Sequence, residues 1–414
     1  MRQMAMRAPA ALVLINCFLL VLSQADLPSV NVQISANAII LNTSAAALPS
    51  QEVYSLLELK ARLAPSTAAS QPLILRGWNV SNLHNVCKNS SWTGVTCSLV
   101  SGQSHITAIN LTGSGLAGSL SPHLGNLTFL STLDLSSNLL TGPIPPELSS
   151  CSSLQTLYLH NNSLTGTIPP SLGSLPALQN LLLGENRLEG AIPSSLGMCK
   201  SLIFLDLHAN QLTGGIPKEL GHLTGLMGLE LYDNHLTGVI PNTLGNCTRL
   251  VALYLNNNEL SGPISSEIGI LRHLQYLWLG ENKLEGTIPS SLGMCKDLTW
   301  IGLHANQLTG SIPKELGHLT GFMGLELYDN HLMGVIPNTL GNCMRLVALY
   351  LNNKELSGPI PSEIEILGQL QYLWLGENKH EGTIPSSLGM CKDLTWIGLH
   401  ANQLTGSIPK ELGH

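Results

Sequence analysis

The sequence predicts an α/β solenoid of about 13 stacked coils, with a parallel β-sheet along its concave face and a helical cap at its N-terminal end. Three observations predict it. Asparagine recurs at 138, 162, 186, 210, 234, 258, 282, 306, 330, 378 and 402, a 24-residue period broken only by Lys354. Leucines keep fixed offsets around each asparagine, as in LSTLDLSSNLLTGPIPPELSSC from Leu130 to Cys151. Glycine and proline then follow at fixed offsets, here Gly142 and Pro145.

Each part of a coil has a physical reason. The alternation of Leu133, Asp134 and Leu135 predicts a short strand with one buried and one wet face. Gly142 and Pro145 suit a bend after it. One coil cannot enclose its own leucines, so the core forms only by stacking. The asparagine amide both donates and accepts, and so can satisfy backbone groups left unpaired where strand gives way to turn.

Arg2 and Arg7 precede an apolar run from Ala11 to Leu22, and Ser23, Gln24 and Ala25 offer a cleavage site, so residues 1–25 read as a secretory signal peptide. Residues 26–50 show no clear period and are expected to form a poorly ordered leader. The spacing of Val53, Leu56, Leu57, Leu59, Ala61 and Leu63 predicts an amphipathic helix over 52–63, opening a cap at 51–103. The repeats then fill 104–414.

The turn sequences LTGPIP (140–145), LTGTIP (164–169), LEGTIP (284–289) and LTGSIP (308–313) resemble the plant-type leucine-rich repeat family with its LxGxIP signature. The resemblance covers about residues 52–414 and implies a right-handed superhelix. Trp78, Cys87, Trp92 and Cys97 look like the N-terminal cap of plant leucine-rich repeat ectodomains. That likeness implies a Cys87–Cys97 disulfide, although their spacing is somewhat longer than the family pattern.

Six further cysteines, at 151, 199, 247, 295, 343 and 391, recur once in every second coil. Neighbours in this series lie two coils apart, about 10 Å on strand spacing, too far for a disulfide. Leucine occupies the same register in the intervening coils, at 127, 175, 223, 271, 319 and 367, so these cysteines read as buried free thiols. Seven N-x-S/T sequons suit a secreted glycoprotein. Asn42, Asn79, Asn89, Asn126 and Asn246 are the expected glycan sites, while Asn110 and Asn161 would put glycans on the strand face.

A net charge of −7 with 11% charged residues excludes the basic face of a nucleic-acid binder. No catalytic motif stands out, no membrane span follows residue 97, and no enzyme activity or cofactor is expected. His160, His208, His304 and His400 on the strand face are at least two coils apart and read as single surface histidines, not metal ligands.

Each strand is expected to expose the positions six, four, two and one residues before the asparagine. These columns hold Tyr158, Tyr232, Tyr254, Tyr276, Tyr328, Tyr350, Tyr372, Trp278, Trp300, Trp374 and Trp396, which leaves only Tyr54, Trp78 and Trp92 elsewhere. Aromatics also suit strands by β propensity alone. The columns carry acids, among them Asp206, Glu230 and Glu326, and no lysine or arginine. Such a face has the composition of a recognition surface for cationic or hydrogen-bonding partners. The expected partner is an extracellular peptide, glycan or protein.

A longer repeat overlies the shorter one. Residues 184–279 and 280–375 align without gaps and differ at sixteen of ninety-six positions, and 286–318 recur unchanged as 382–414. The later copies carry lesions: Asn258 becomes Lys354, and Leu284 becomes His380. No terminal cap follows His414, so a fragment of a longer chain or a frayed last coil is expected. The resemblance implies a receptor-like kinase or receptor-like protein ectodomain, with a co-receptor kinase as a further partner. Alternatives are a secreted polygalacturonase-inhibitor-like protein and a nonfunctional duplicate.

Overall fold

The computed structural model describes residues 48–63, 73–81, 86–87 and 92–413. The signal peptide, most of the leader, and the sequons at Asn42 and Asn89 lie outside them. Helix α1 (Ser50–Leu63) forms where the apolar spacing predicts it, with Glu52 in its first turn and Lys60 and Arg62 in its last, matching the helix dipole. Leu56, Leu59 and Leu63 enter the core. Glu52 fastens the helix to the first coil: Ile106 N donates to its Oε2 at 2.7 Å and His105 Nδ1 lies 2.6 Å from Oε1. The C-terminal turn of α1 packs on Gly118 (φ +111°), where a Cβ would strike the Arg62 carbonyl. Trp78 stacks on Trp92 at 5.4 Å between ring centres, and Cys87 is bonded to Cys97 as the family likeness implies.

The main sheet has fourteen strands among the described residues. The first, β1 (Val95–Val100), runs antiparallel to β2 (Gln103–Asn110). From β2 onward each coil adds one parallel strand, from Thr132–Asp134 to Trp396–Gly398. Registry follows the repeat, with Leu133 opposite Leu157 and Leu157 opposite Leu181. Across the coil the chain makes a 3-10 turn rather than an α-helix, entered from a proline such as Pro313 ahead of Lys314–His318.

The asparagine rungs have the predicted task. Asn306 Nδ2 donates to Leu279 O in the preceding coil at 3.0 Å and to Leu303 O in its own at 3.1 Å. Its Oδ1 accepts from Leu284 N at 2.9 Å. The six regular cysteines are free and buried, and each thiol also donates to a carbonyl of the preceding turn, as Cys295 Sγ does to Ile268 O at 3.4 Å. Burial pushes the Cys295 thiol up to about 11, which keeps it protonated.

Two features go beyond the sequence reading. The stretch after each asparagine, expected only to bend, pairs into a second parallel ladder that runs through the turn glycine, as in Gly166 opposite Leu188. The residue just before each rung adopts a left-handed conformation without being glycine, for example Glu281 (φ 54°), Ala305 (φ 51°) and Asp329 (φ 55°).

Lys354 breaks more than its own rung. The regular pairing of the second ladder lapses between Gln307–Thr309 and Met333–Gly334, although His331 N→Leu308 O and Met333 N→Gly310 O still bridge the two coils at 2.8 Å. At an intact rung Leu236 N donates to Asn258 Oδ1 at 2.9 Å, but Lys354 offers Leu332 N no acceptor. The bond Asp233 N→Asn256 O measures 3.1 Å, and its counterpart Asp329 N→Asn352 O stretches to 3.4 Å. Lys354 Nζ is buried without a hydrogen-bond partner, and burial drives its amine well below the ordinary lysine range. His380, at the core slot, is fully buried; its Nδ1 reaches Gly358 O at 3.2 Å while Nε2 has no partner.

Candidate functional site

The strand face is less open than alternation alone predicts. Tyr254, Trp278, Asp206 and Glu326 are buried, whereas Tyr158, Glu230, Tyr232, Tyr276, Trp300, Tyr328, Tyr350, Tyr372 and Trp374 are half-buried. Trp396 is 61% exposed. Neighbouring strands set in-column residues about 4.8 Å apart, so a broad ring covers its neighbour rather than standing upright. Glycines receive these rings. A Cβ on Gly302 would stand 2.6 Å from Trp278 Cε3, one on Gly228 2.8 Å from Phe204 Cδ1, and one on Gly324 would strike the Trp300 indole. The paired glycine and aromatic, one coil apart at the same register, are a sequence signal that reading each column for exposure overlooks.

The result is a tiled aromatic floor. Trp278 stacks on Trp300 (6.2 Å, 11°), His304 on Tyr328 (4.6 Å, 12°), and His208 on Tyr232 (4.5 Å, 13°). Trp300 Nε1 donates to Glu326 Oε1 at 3.1 Å. Trp278 Nε1 is a buried donor without a partner. Among the sequons, Asn246 is exposed, Asn79 is half-buried, and Asn126 is half-buried with Nδ2 3.2 Å from Ser55 Oγ.

His208 is not isolated. Carboxylates from its own and adjacent coils surround it, with Asp206 Oδ1 2.6 Å from Nδ1 and Glu185 Oε1 3.5 Å from Nε2. One ligand atom each from Asp206, His208 and Glu230 lies within 4.8 Å of the other two. Burial presses the imidazole towards neutrality, but the Asp206 hydrogen bond and the charges of Asp206, Glu230 and Glu185 outweigh it and raise His208 to about 9. Burial, reinforced by Asp206, lifts the Glu230 carboxyl to about 8 against the pull of His208. Spacing between histidines could not reveal this, because the partners are acids one coil away; Asp206-x-His208, with Glu230 at the register of Asp206 in the next coil, is the signal.

The copied block repeats part of the arrangement. His304 Nδ1 lies 3.4 Å from Glu326 Oε2 and Nε2 lies 3.8 Å from Glu281 Oε1, but Gly302 stands where Asp206 would be. A groove on the turn side, lined by Pro289, Pro313, Pro337 and Pro361, repeats the Ile-Pro turn, with Lys314, Glu315 and Glu363 among its polar lining.

Comparison with known proteins agrees with this architecture. Residues 49–98 match the leucine rich repeat N-terminal domain; 152–212, together with 129–151, 225–247 and 273–295, match leucine rich repeat models. The solved plant peptide hormone receptor RGFR1, in complex with RGF2, is 44% identical with a TM-score of 0.70, over 71% of this chain and 47% of that one. The ectodomain of the receptor kinase GASSHO1/SCHENGEN3 from Arabidopsis thaliana, in complex with CASPARIAN STRIP INTEGRITY FACTOR 2, is 38% identical with a TM-score of 0.69, over 87% of this chain and 48% of that one. A leucine-rich repeat protein of Leptospira interrogans is 35% identical with a TM-score of 0.60, over 71% of this chain and 72% of that one. The chain belongs to the leucine-rich repeat family. It spans about half the length of the two plant receptor structures. No helix among the described residues is long and apolar enough to cross a membrane.

Proposed function

We propose that this chain is an extracellular recognition module of the receptor-ectodomain type, which binds a cationic peptide or protein segment along its strand face. The observation that carries the reading is the composition of that face: stacked groups of aromatic rings with acids at intervals and no lysine or arginine in its columns. Aromatic surface supplies contact area at low entropic cost, and charge of one sign selects partners of the other. The two solved plant receptors, each in complex with the partner its name gives, support the reading by kinship. A receptor chain also requires signalling parts, and a co-receptor kinase belongs to the same proposal.

Alanine replacement tests it. Tyr276 and Tyr350 are the positions of choice, because both are half-buried and neither carries the core. Tyr276→Ala and Tyr350→Ala together are expected to weaken capture of a cationic peptide pool tenfold or more with little change in melting temperature. Unchanged capture would remove the strand face from the account.

A further inference from the structure

We propose that Asp206, His208 and Glu230 hold one divalent transition-metal ion of the zinc class on the strand face. The donors come from adjacent coils and their ligand atoms already lie within 4.8 Å of one another. Tetrahedral zinc, with bonds of about 2.0 to 2.2 Å, sets its ligand atoms roughly 3.3 Å apart. Small side-chain rotations close that difference. One imidazole nitrogen with two carboxylate oxygens suits zinc or its neighbours; calcium and magnesium prefer oxygen alone.

The surroundings are those of a held ligand. Glu185 faces the far nitrogen of His208 at 3.5 Å, the position from which a carboxylate orients a metal-binding imidazole. Tyr232 stacks on the ring at 4.5 Å, and Gly184 lets the ring lie close to the sheet. Glu230, at the register of Asp206 in the next coil, brings the third donor beside the other two. No lysine or arginine stands in the columns of these three side chains. Three protein ligands leave a position open for a carbonyl or carboxylate of a bound partner.

The chain carries its own control. The copied site keeps His304 and Glu326 but replaces the third ligand with Gly302, so it offers only two donors. The untagged full chain, stripped with chelator, is titrated with Zn²⁺ alone by calorimetry and with Co²⁺ by visible absorption. One equivalent is expected to bind, with the d–d spectrum of a low-coordinate site. Asp206→Asn and Glu230→Gln, near-isosteric changes whose folding is checked by thermal melting, are each expected to lower affinity at least tenfold. Glu326→Gln is expected to leave it unchanged. Absence of stoichiometric binding in the folded protein overturns the proposal, and so does one-equivalent binding that survives either Asp206→Asn or Glu230→Gln. The readout is the metal itself, so failure here leaves the peptide reading untouched and the reverse also holds.

Discussion

The indole of Trp300 lies flat against Gly324 in the next coil, and there is no room between them for a Cβ. This relationship shows how the strand face is built: the glycine of one coil seats the ring of its neighbour, and a row of such pairs forms a floor. Gly324→Ala is therefore expected to lift or displace Trp300, with a loss of about 1 to 3 kcal/mol typical of overpacking. Thermal melting and tryptophan emission read it. An unchanged melt and spectrum would mean the ring is not seated there.

Lys354 puts an unpaired amine where a rung belongs. Lys354→Asn restores both the amide donor and the acceptor for Leu332 N and is expected to add about 1 to 3 kcal/mol. Lys354→Met removes the amine without rebuilding the rung and should gain less. The ordering Asn above Met above Lys in thermal melts checks the assignment. His380→Leu, which fills a fully buried slot with the residue found at Leu284, is expected to raise the melting temperature as well.

Left-handed residues before the rungs are a cost spread over every coil. Ala305 (φ 51°) is one of them. Ala305→Gly relieves the Cβ strain but gives the unfolded chain more freedom, and is expected to change stability by about 1 kcal/mol or less. Ala305→Val, β-branched in a conformation that disfavours it, is expected to cost about 1 to 2 kcal/mol more than Gly. Equal melts for the two variants would contradict this backbone assignment.

The acidic cluster sets a pH dependence with a definite sign. Glu230, raised in the fold to about 8, favours folding while protonated, so its contribution declines as pH climbs from the ordinary carboxyl range towards 8. His208, raised to about 9, contributes fully below its ordinary value of 6.5 and loses that contribution as pH rises through 9. Both effects destabilise the fold between pH 5 and pH 9. Glu230→Gln is expected to flatten the lower part of that decline. Melts of metal-free protein across this range, wild type against variant, measure it.

Much of the fold is legible because one interaction set repeats in every coil. The asparagine rungs, the leucine core and the buried thiols follow from period and residue chemistry, and the structure reproduces them. The second ladder was not legible, since Gly142 and Pro145 punctuate a segment whose pairing arises only between coils. Left-handed Glu281, Ala305 and Asp329 were hidden for another reason: their varied side chains give no glycine signal. On the strand face the columns are correct in position but not in openness, because Trp278 turns sideways onto Gly302. The cluster at His208 emerges only when residues one period apart are read as neighbours.

Recognition of cationic ligands by the aromatic, acidic strand face is open to one direct titration. The folded chain is titrated with random twelve-residue peptide pools of net charge +3, 0 and −3, with affinity followed by tryptophan emission at moderate salt. Saturable binding of the +3 pool is expected, at least tenfold stronger than the −3 pool and weakened by Tyr276→Ala with Tyr350→Ala. Equal affinity for all three pools, or a preference for the −3 pool, contradicts it.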